Sequence, residues 1–503
     1  MPYQLNWGRG SHLNGRGSRK EKDMASLMEE FDKYDALGLA ALVRRKEVKP
    51  IELVETAIER IERINPVLNC VNIKTYDLAR RLAQGPLPEG PFTGVPFLLK
   101  DLGLMYEGVK TTSGCSFYKD FVARDDSVVV QRIKQAGLIL VGKTNTPELG
   151  SAPSTEPRLY GPTRNPWNLE HTAGGSSGGS GAAVAARILP VADGSDGGGS
   201  IRTPASNNGV VGLKPCRGRV PVAPHQGDMW YGQACMNCLS LTVRDTAAYL
   251  DVVSGPVPGD PYQPAKPMRP FLEEVSIEPG RLKIGVVTRS ITGDPVDPEC
   301  VRAIEETARL CADLGHEVME TKFTFDFDLA VKSFNRAARV LSLMALEDGE
   351  RMVGRKATAE DFETVSWLTF ELGKMVSGVQ HARDIEALRQ CSRQIARDCE
   401  PFDIVLSPTM AVRPQRLGLY DMNGPPESAR TFGSLIKSHL AFTMPFNISG
   451  QPAMSLPLHW SKDGLPIGVQ IVARYADEAT IFRLAGQLEK ARPWIDRKPP
   501  VHA

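Results

Sequence analysis

The chain predicts an α/β layer fold in which one large mixed, twisted β-sheet is covered on both faces by helices. Two observations carry that expectation. Short apolar runs of strand length alternate with helix-period segments near both ends of the chain, the pattern that buries a sheet between helical layers. Within the 503 residues no internal repeat and no convincing linker marks a division, so residues 35–495 read as a single domain.

From Asp35 the segment DALGLAALVRRKEV has a helical period. Pro50 opens a second helix, IELVETAIERIERI, which Asn65-Pro66 is expected to close. GVPFLLKDLG (94–103) has the short apolar run of a core strand ending in a Lys-Asp pair. SVVVQRIKQAG (127–137) is an amphipathic helix stopped by Gly137, and LILVG (138–142) a buried strand. NPWNLEHTA (165–173) reads as polar loop, whereas GAAVAARILPVA (181–192) is helix followed by strand. Residues 255–280, rich in Pro and Gly, predict a surface excursion, and 297–400 are mostly helical. FDIVLSPT (402–409), PAMSLPLHW (452–460) and IGVQIVA (467–473) are strands, and EATIFRLAGQLEKA (478–491) is a closing helix. Residues 1–34 are expected to be a flexible tail with the start of an N-terminal helix, and 496–503 a C-terminal tail.

Composition narrows the function classes. Sixty basic against 59 acidic residues leave a net charge of +1, which gives no footprint for nucleic acid or an anionic membrane. No apolar run reaches the ~18 residues of a membrane span, and the N-terminal stretch lacks the apolar core of a signal peptide. Nine scattered cysteines, an odd count, fit reduced thiols and a cytoplasmic location. Cys235 and Cys238 form one C-x-x-C, with no second pair to complete a zinc site. Neither a metal nor an organic cofactor is expected.

The chemistry concentrates in GGSSGGSGAAVAARILPVADGSDGGGSIRTPASNN (174–208), two serine-bearing glycine nests around a small-residue apolar segment. Glycine lets main-chain N–H groups approach a ligand closely, and a serine there can attack while neighbouring amides receive an oxyanion. A flexible Gly/Ser tether is the plain alternative, but the segment between the nests is too apolar for one.

Two familiar patterns are decoys. Gly137-x-x-x-x-Gly142-Lys143-Thr144 matches a phosphate-binding loop, yet Leu138, Ile139, Leu140 and Val141 would spend their N–H groups in a sheet. Gly174-x-Ser176-x-Gly178 fits a nucleophile elbow, but no buried strand precedes it. The downstream histidines, His225, His316, His381, His439, His459 and His502, carry no distinguishing context for such a triad.

The remaining reading makes Ser200 the nucleophile, Ser176 a proton relay and Lys100 the base. A lysine normally ionises near ~10.4, and desolvation can lower that enough to give a neutral, proton-accepting amine. On the residues alone, a surface Lys100 partnered by Asp101 stands beside it.

The segment from Gly174 to Pro215 resembles the amidase signature, ending in SIRTPASNNGVVGLKP. GKTNTPELG (142–150), GPTRNPWN (161–168), MPFNISGQPAMSLPL (444–458) and GLPIGVQIVA (464–473) match further motifs of that family in order. The likeness runs from about Asp35 to about Trp494 and implies an amidase-signature catalytic domain. By that resemblance Ser200 matches the acyl-forming serine, Ser176 the cis-serine after a cis Gly175–Ser176 peptide, and Lys100 the base. The amides of Gly197, Gly198, Gly199 and Ser200 fall where the family builds its oxyanion hole. Ser177, Asp196 and Arg202 match positions that hold the site by hydrogen bonds. Many members carry a β-branched residue where Gly197 stands, so three glycines in a row predict a looser loop.

The resemblance implies an amidase acting on small non-peptide amides. The wording is closest to 6-aminohexanoate-cyclic-dimer hydrolases and aryl acylamidases, with esters and carbamates as further expected substrates. The helical stretch Leu329 to Val376 is expected to shape the acyl pocket. A homodimer is the assembly the family implies. The alternative of a different class is a glutamine-dependent amidotransferase subunit that works only within a tRNA-binding complex.

Overall fold

The structure, a computed structural model, describes residues 31–503. In chain order its strands are β1 (Val71–Lys74), β2 (Pro96–Lys100), β3 (Ile139–Thr144), β4 (Arg164–Asn165), β5 (Asn168–Thr172), β6 (Val191–Asp196), β7 (Val211–Lys214), β8 (Cys235–Ser240), β9 (Lys283–Val286), β10 (Glu317–Glu320), β11 (Ile404–Pro408), β12 (Ala453–Trp460) and β13 (Pro466–Ala473). Eleven of them form one sheet in the order β1-β3-β2-β6-β8-β7-β12-β13-β11-β9-β10. It is mixed: β3, β2 and β6 run parallel, as do β11, β9 and β10, while the pairs linking β6, β8, β7, β12, β13 and β11 are antiparallel.

Alternation along the strands explains why helices cover both faces. Ile404 and Leu406 of β11, with Ile471 and Ala473 of β13, pack into one core that includes the helices Pro50–Leu68, Pro298–Asp313 and Glu478–Ala491. Val405 and Val472, pointing the other way, pack into a second core with Phe334 and Ala337 of helix Phe327–Val353 and Leu388 and Ile395 of helix Gly378–Cys399. Strands buried on both sides must read as continuous apolar runs, and these do.

Several local expectations are corrected. Helix Pro50–Leu68 runs through Pro66 instead of ending before it. Pro66 has no N–H to give the Glu62 carbonyl, and the helix continues for only two residues beyond it. Asn69 then ends the helix in the left-handed region, and Asn65 Oδ1 accepts the N–H groups of Cys70 and Val71 at 2.8 Å each. The polar stretch before Gly174 is no loop: β4 and β5 form a separate two-stranded hairpin, outside the main sheet.

Of the expected N-terminal tail, residues 1–30 lie outside the described residues. Phe31–Lys33 form a turn of 3-10 helix, with Phe31 buried and the Arg60 guanidinium over its ring. The last residues are pinned too: Ala503 donates to the Ala186 carbonyl at 2.8 Å, and Arg187 donates to the carbonyls of Ile495 and Arg497. The phosphate-loop match fails as expected, because Ile139–Thr144 is a buried strand. All nine cysteines are free and buried. Among the described residues no helix is long and apolar enough to cross a membrane.

Candidate active site

Lys100 ends β2 and is fully buried. Its Nζ lies 2.7 Å from Ser176 Oγ and 2.9 Å from Ser195 Oγ. Ser176 follows a cis peptide from Gly175 and stands just before helix Gly178–Ala185. Asp101 is turned elsewhere. It accepts from Thr112 N and Asn72 Nδ2 at 2.8 and 2.9 Å and sits 4.0 Å from Lys143 Nζ, so it is not the partner of Lys100.

Burial pushes the Lys100 ammonium down to about 7, against the opposing pull of Asp193 and Asp196. Burial likewise pushes the Asp193 carboxyl up to about 7; it accepts the Lys100 N–H at 3.3 Å. Replacing Asp193 with asparagine removes a negative charge that favours the lysine cation. The Lys100 pKa is expected to fall further, and the acid limb of the pH–rate profile to move below pH 7 by about one unit. A profile of kcat/KM against pH for the variant checks it, and a limb displaced upward refutes it.

The two glycine nests are stitched together. Ser177 N–H donates to the Ser200 carbonyl at 3.2 Å, and Ser177 Oγ donates to the Ser195 carbonyl at 3.3 Å. Ser200 is half-buried between β6 and helix Arg202–Asn208, and its hydroxyl has no hydrogen-bond partner among the described residues. The structure therefore joins Lys100 to Ser176, with Ser200 held beside them through its backbone rather than its hydroxyl.

Below the loop lies a buried ion pair. Arg202 donates through Nε and Nη2 to Asp196 at 3.0 and 2.9 Å, through Nη1 to the Thr443 carbonyl and Gln470 Oε1, and through Nη2 to Asn447 Oδ1. Burial alone would raise the Asp196 carboxyl, but the Arg202 guanidinium overrides it and holds the group below the usual carboxylate range.

Asp196 also accepts the N–H groups of Gly199 and Ile201 at 2.8 and 3.1 Å. This corrects one expectation. The Gly199 amide is already engaged, so the amides free to donate are those of Gly197, Gly198 and Ser200, which have no partner among the described residues. A second correction follows, because the loop is tied, not loose: Thr443 Oγ1 donates to the Gly198 carbonyl at 2.6 Å and Thr203 N–H to the Gly199 carbonyl at 2.7 Å.

Gly199 has φ +138°, and a Cβ there would stand 2.6 Å from Thr443 Oγ1 and 2.9 Å from Thr443 Cβ. Gly199→Ala is expected to destabilise the fold by roughly 1–3 kcal/mol and to impair turnover, read as a lowered Tm and kcat. An unchanged Tm would contradict this account of the loop.

Sequence reasoning missed Ser195, Asp193, Thr443, Asn447 and Gln470. Ser195 and Asp193 stood in view inside VADGSD, but nothing in spacing says which strand lies beside theirs in the sheet. Asn447 lies in the motif FNISGQPA, quoted above only for its resemblance. None of the six downstream histidines is bonded to Ser176 or Ser200; His439, for one, is buried against Tyr420.

The sequence matches the family model Amidase over residues 52–482. The chain belongs to the amidase family. This amidase is 42% identical over 480 residues to a 6-aminohexanoate-cyclic-dimer hydrolase of Paenarthrobacter ureafaciens, covering 93% of this chain and 96% of that one. Its structure matches that of a 6-aminohexanoate cyclic dimer hydrolase with a TM-score of 0.88 at 41% identity, covering 93% and 99% of the two chains. A bacterial aryl acylamidase of the amidase signature family matches with a TM-score of 0.82 at 28% identity, covering 92% and 96%. The amidase is an amide C–N hydrolase.

Proposed function

We propose that this amidase hydrolyses small non-peptide amides by acyl transfer to Ser200. The substrates are aryl and alkyl acylamides and cyclic or linear oligomers of the nylon type; esters and carbamates are further substrates, since all pass through similar tetrahedral intermediates. The observation that carries the reading is the 2.7 Å approach of a fully buried Lys100 Nζ to Ser176 Oγ. Neutral Lys100 draws the Ser176 proton while Ser176 takes that of Ser200, whose Oγ attacks the carbonyl carbon. The amides of Gly197, Gly198 and Ser200 receive the oxyanion. The relay then returns a proton to the leaving nitrogen, the C–N bond breaks, and water releases the acid from the acyl-enzyme.

The test is a panel run on the purified chain alone: 4-nitroacetanilide, the cyclic and linear dimers of 6-aminohexanoate, and an aryl carbamate. Hydrolysis of at least one amide, with an acyl adduct on the Ser200 peptide by mass spectrometry, is the expected outcome. An adduct on another residue would overturn the mechanism. Glutaminase activity that depends on added tRNA-binding subunits would favour the amidotransferase reading instead.

A further inference from the structure

Gly197 and Gly198 are half-buried, three and two residues before Ser200, and the nearest atoms that a Cβ on either would meet are carbon. A Cβ on Gly197 would meet Ala234 Cβ at 3.5 Å and Trp230 Cε3 and Cζ3 at 3.6 and 3.7 Å. One on Gly198 would meet Leu440 Cδ2 and Cδ1 at 3.5 and 3.8 Å and Phe334 Cζ at 3.9 Å. The Trp230 and Phe334 rings pack edge to face with centroids 5.9 Å apart. Trp230 and Leu440 remain partly exposed, so apolar surface is left open next to the serine.

The indole is held in place. Trp230 and Tyr231 both have φ +54°, an uncommon left-handed backbone for bulky residues, which persists where surroundings over-determine it. Gly232 N–H donates to Asp228 Oδ1 at 2.6 Å and to the Met229 carbonyl at 3.1 Å, Gln233 N–H donates to the Trp230 carbonyl at 3.0 Å, and Tyr231 Oη lies 2.7 Å from His381 Nε2.

We infer that Trp230, Phe334 and Leu440 form the wall along which the acyl chain lies, and that Gly197 keeps the slot beside the indole open for an apolar acyl chain that carries no carboxylate. The inference rests on the proposed mechanism for one step, the direction of the substrate. Ser176 must reach the leaving nitrogen, so the leaving group lies toward Ser176 and its neighbour Gly150, where a Cβ would stand 3.2 Å from Ser176 Oγ. The acyl group then extends the other way, along Gly197 and Gly198. A wall of carbon rewards each added methylene and offers no partner to a carboxylate, which disfavours acyl groups such as that of glutamine. A side chain at 197 tests the slot sharply: a Cβ fits at ordinary contact distance, but the Cγ atoms of isoleucine would run into the indole.

The experiment measures binding without turnover. Affinities of the Ser200→Ala protein for acetanilide, hexananilide and succinanilate are compared by calorimetry. Hexananilide is expected to bind at least tenfold tighter than acetanilide, and succinanilate more weakly than hexananilide. Adding Trp230→Ala or Gly197→Ile should each reduce the hexanoyl-to-acetyl preference about tenfold, while Trp230→Phe retains most of it. Any general damage to the glycine run falls on both ligands and cancels in the ratio, and a thermal melt confirms folding of each variant. A preference unchanged by both Trp230→Ala and Gly197→Ile, or tighter binding of succinanilate than of hexananilide, overturns the wall. If the preference behaves as expected but the wild-type chain turns over none of the three, the acyl-transfer reading fails and the wall stands.

Discussion

Lys100→Ala is expected to lower kcat by about 10^2–10^4-fold, the usual range for removing a positioned base, with the fold retained. The lysine makes no ion pair within 4.0 Å among the described residues, and its two side-chain partners, Ser176 and Ser195, can bond to each other or to water in its absence. Stability should therefore change less than activity. The pH dependence identifies the group. Only the neutral amine accepts a proton, and the Lys100 ammonium is pushed down to about 7, so wild-type kcat/KM should rise with pH through an inflexion near 7 and fall on the acid side. In Lys100→Ala that limb should vanish from whatever activity remains. Robust turnover in the variant, or an unmoved limb, would show that another group serves as base. Ser200→Ala should abolish the acyl adduct altogether.

The second large effect concerns the buried pair beneath the glycine loop. Arg202→Met is expected to cost about 3–5 kcal/mol of stability, because it strands the Asp196 carboxylate in a fully buried position. Removing both charges, as in Asp196→Leu with Arg202→Met, should recover much of that stability, since a buried ion pair often does little better than well-packed carbon. Activity should not recover. Asp196 also anchors the N–H groups of Gly199 and Ile201, and without it the loop around Ser200 loses both of these anchors. A denaturant titration beside a kcat measurement separates the two outcomes, and a double variant that regained turnover would refute the anchoring role. The sign of the pH dependence follows from the depressed carboxyl. Its contribution is complete above the ordinary carboxylate range near ~3.9 and is lost only as pH falls through the lower folded value. Melting at mildly acidic pH should be indifferent to this pair.

Much of the architecture was legible because period-two and helical patterns are local. The closing helix falls at Glu478–Ala491, the residues its pattern marks. Pro66 was misread because the rule that a helix stops before proline is only a tendency, and here the helix absorbs the lost bond and runs two residues further. Lys100, Ser176 and Ser200 were visible as residue types in suggestive settings. Ser195 was not, because it meets Lys100 across the parallel strands β2 and β6, a contact between residues 95 apart in the chain. The looseness read from Gly197, Gly198 and Gly199 failed for a similar reason: Thr443, far along the chain, clasps the loop.

By itself the sequence determined which chemical groups the protein owns and the layered sheet that carries them: two serines in glycine nests, a lysine at a strand end and the buried strands behind them. Tertiary structure decided what those groups can do. Burial lowers the proton affinity of Lys100, the Asp196–Arg202 pair turns the Gly199 amide away and leaves its neighbours free, and Trp230, Phe334 and Leu440 converge on the glycine run from three separate segments. Desolvation, amide direction and the walls of a cleft depend on what packs around a residue, and that is not set by its neighbours in the chain.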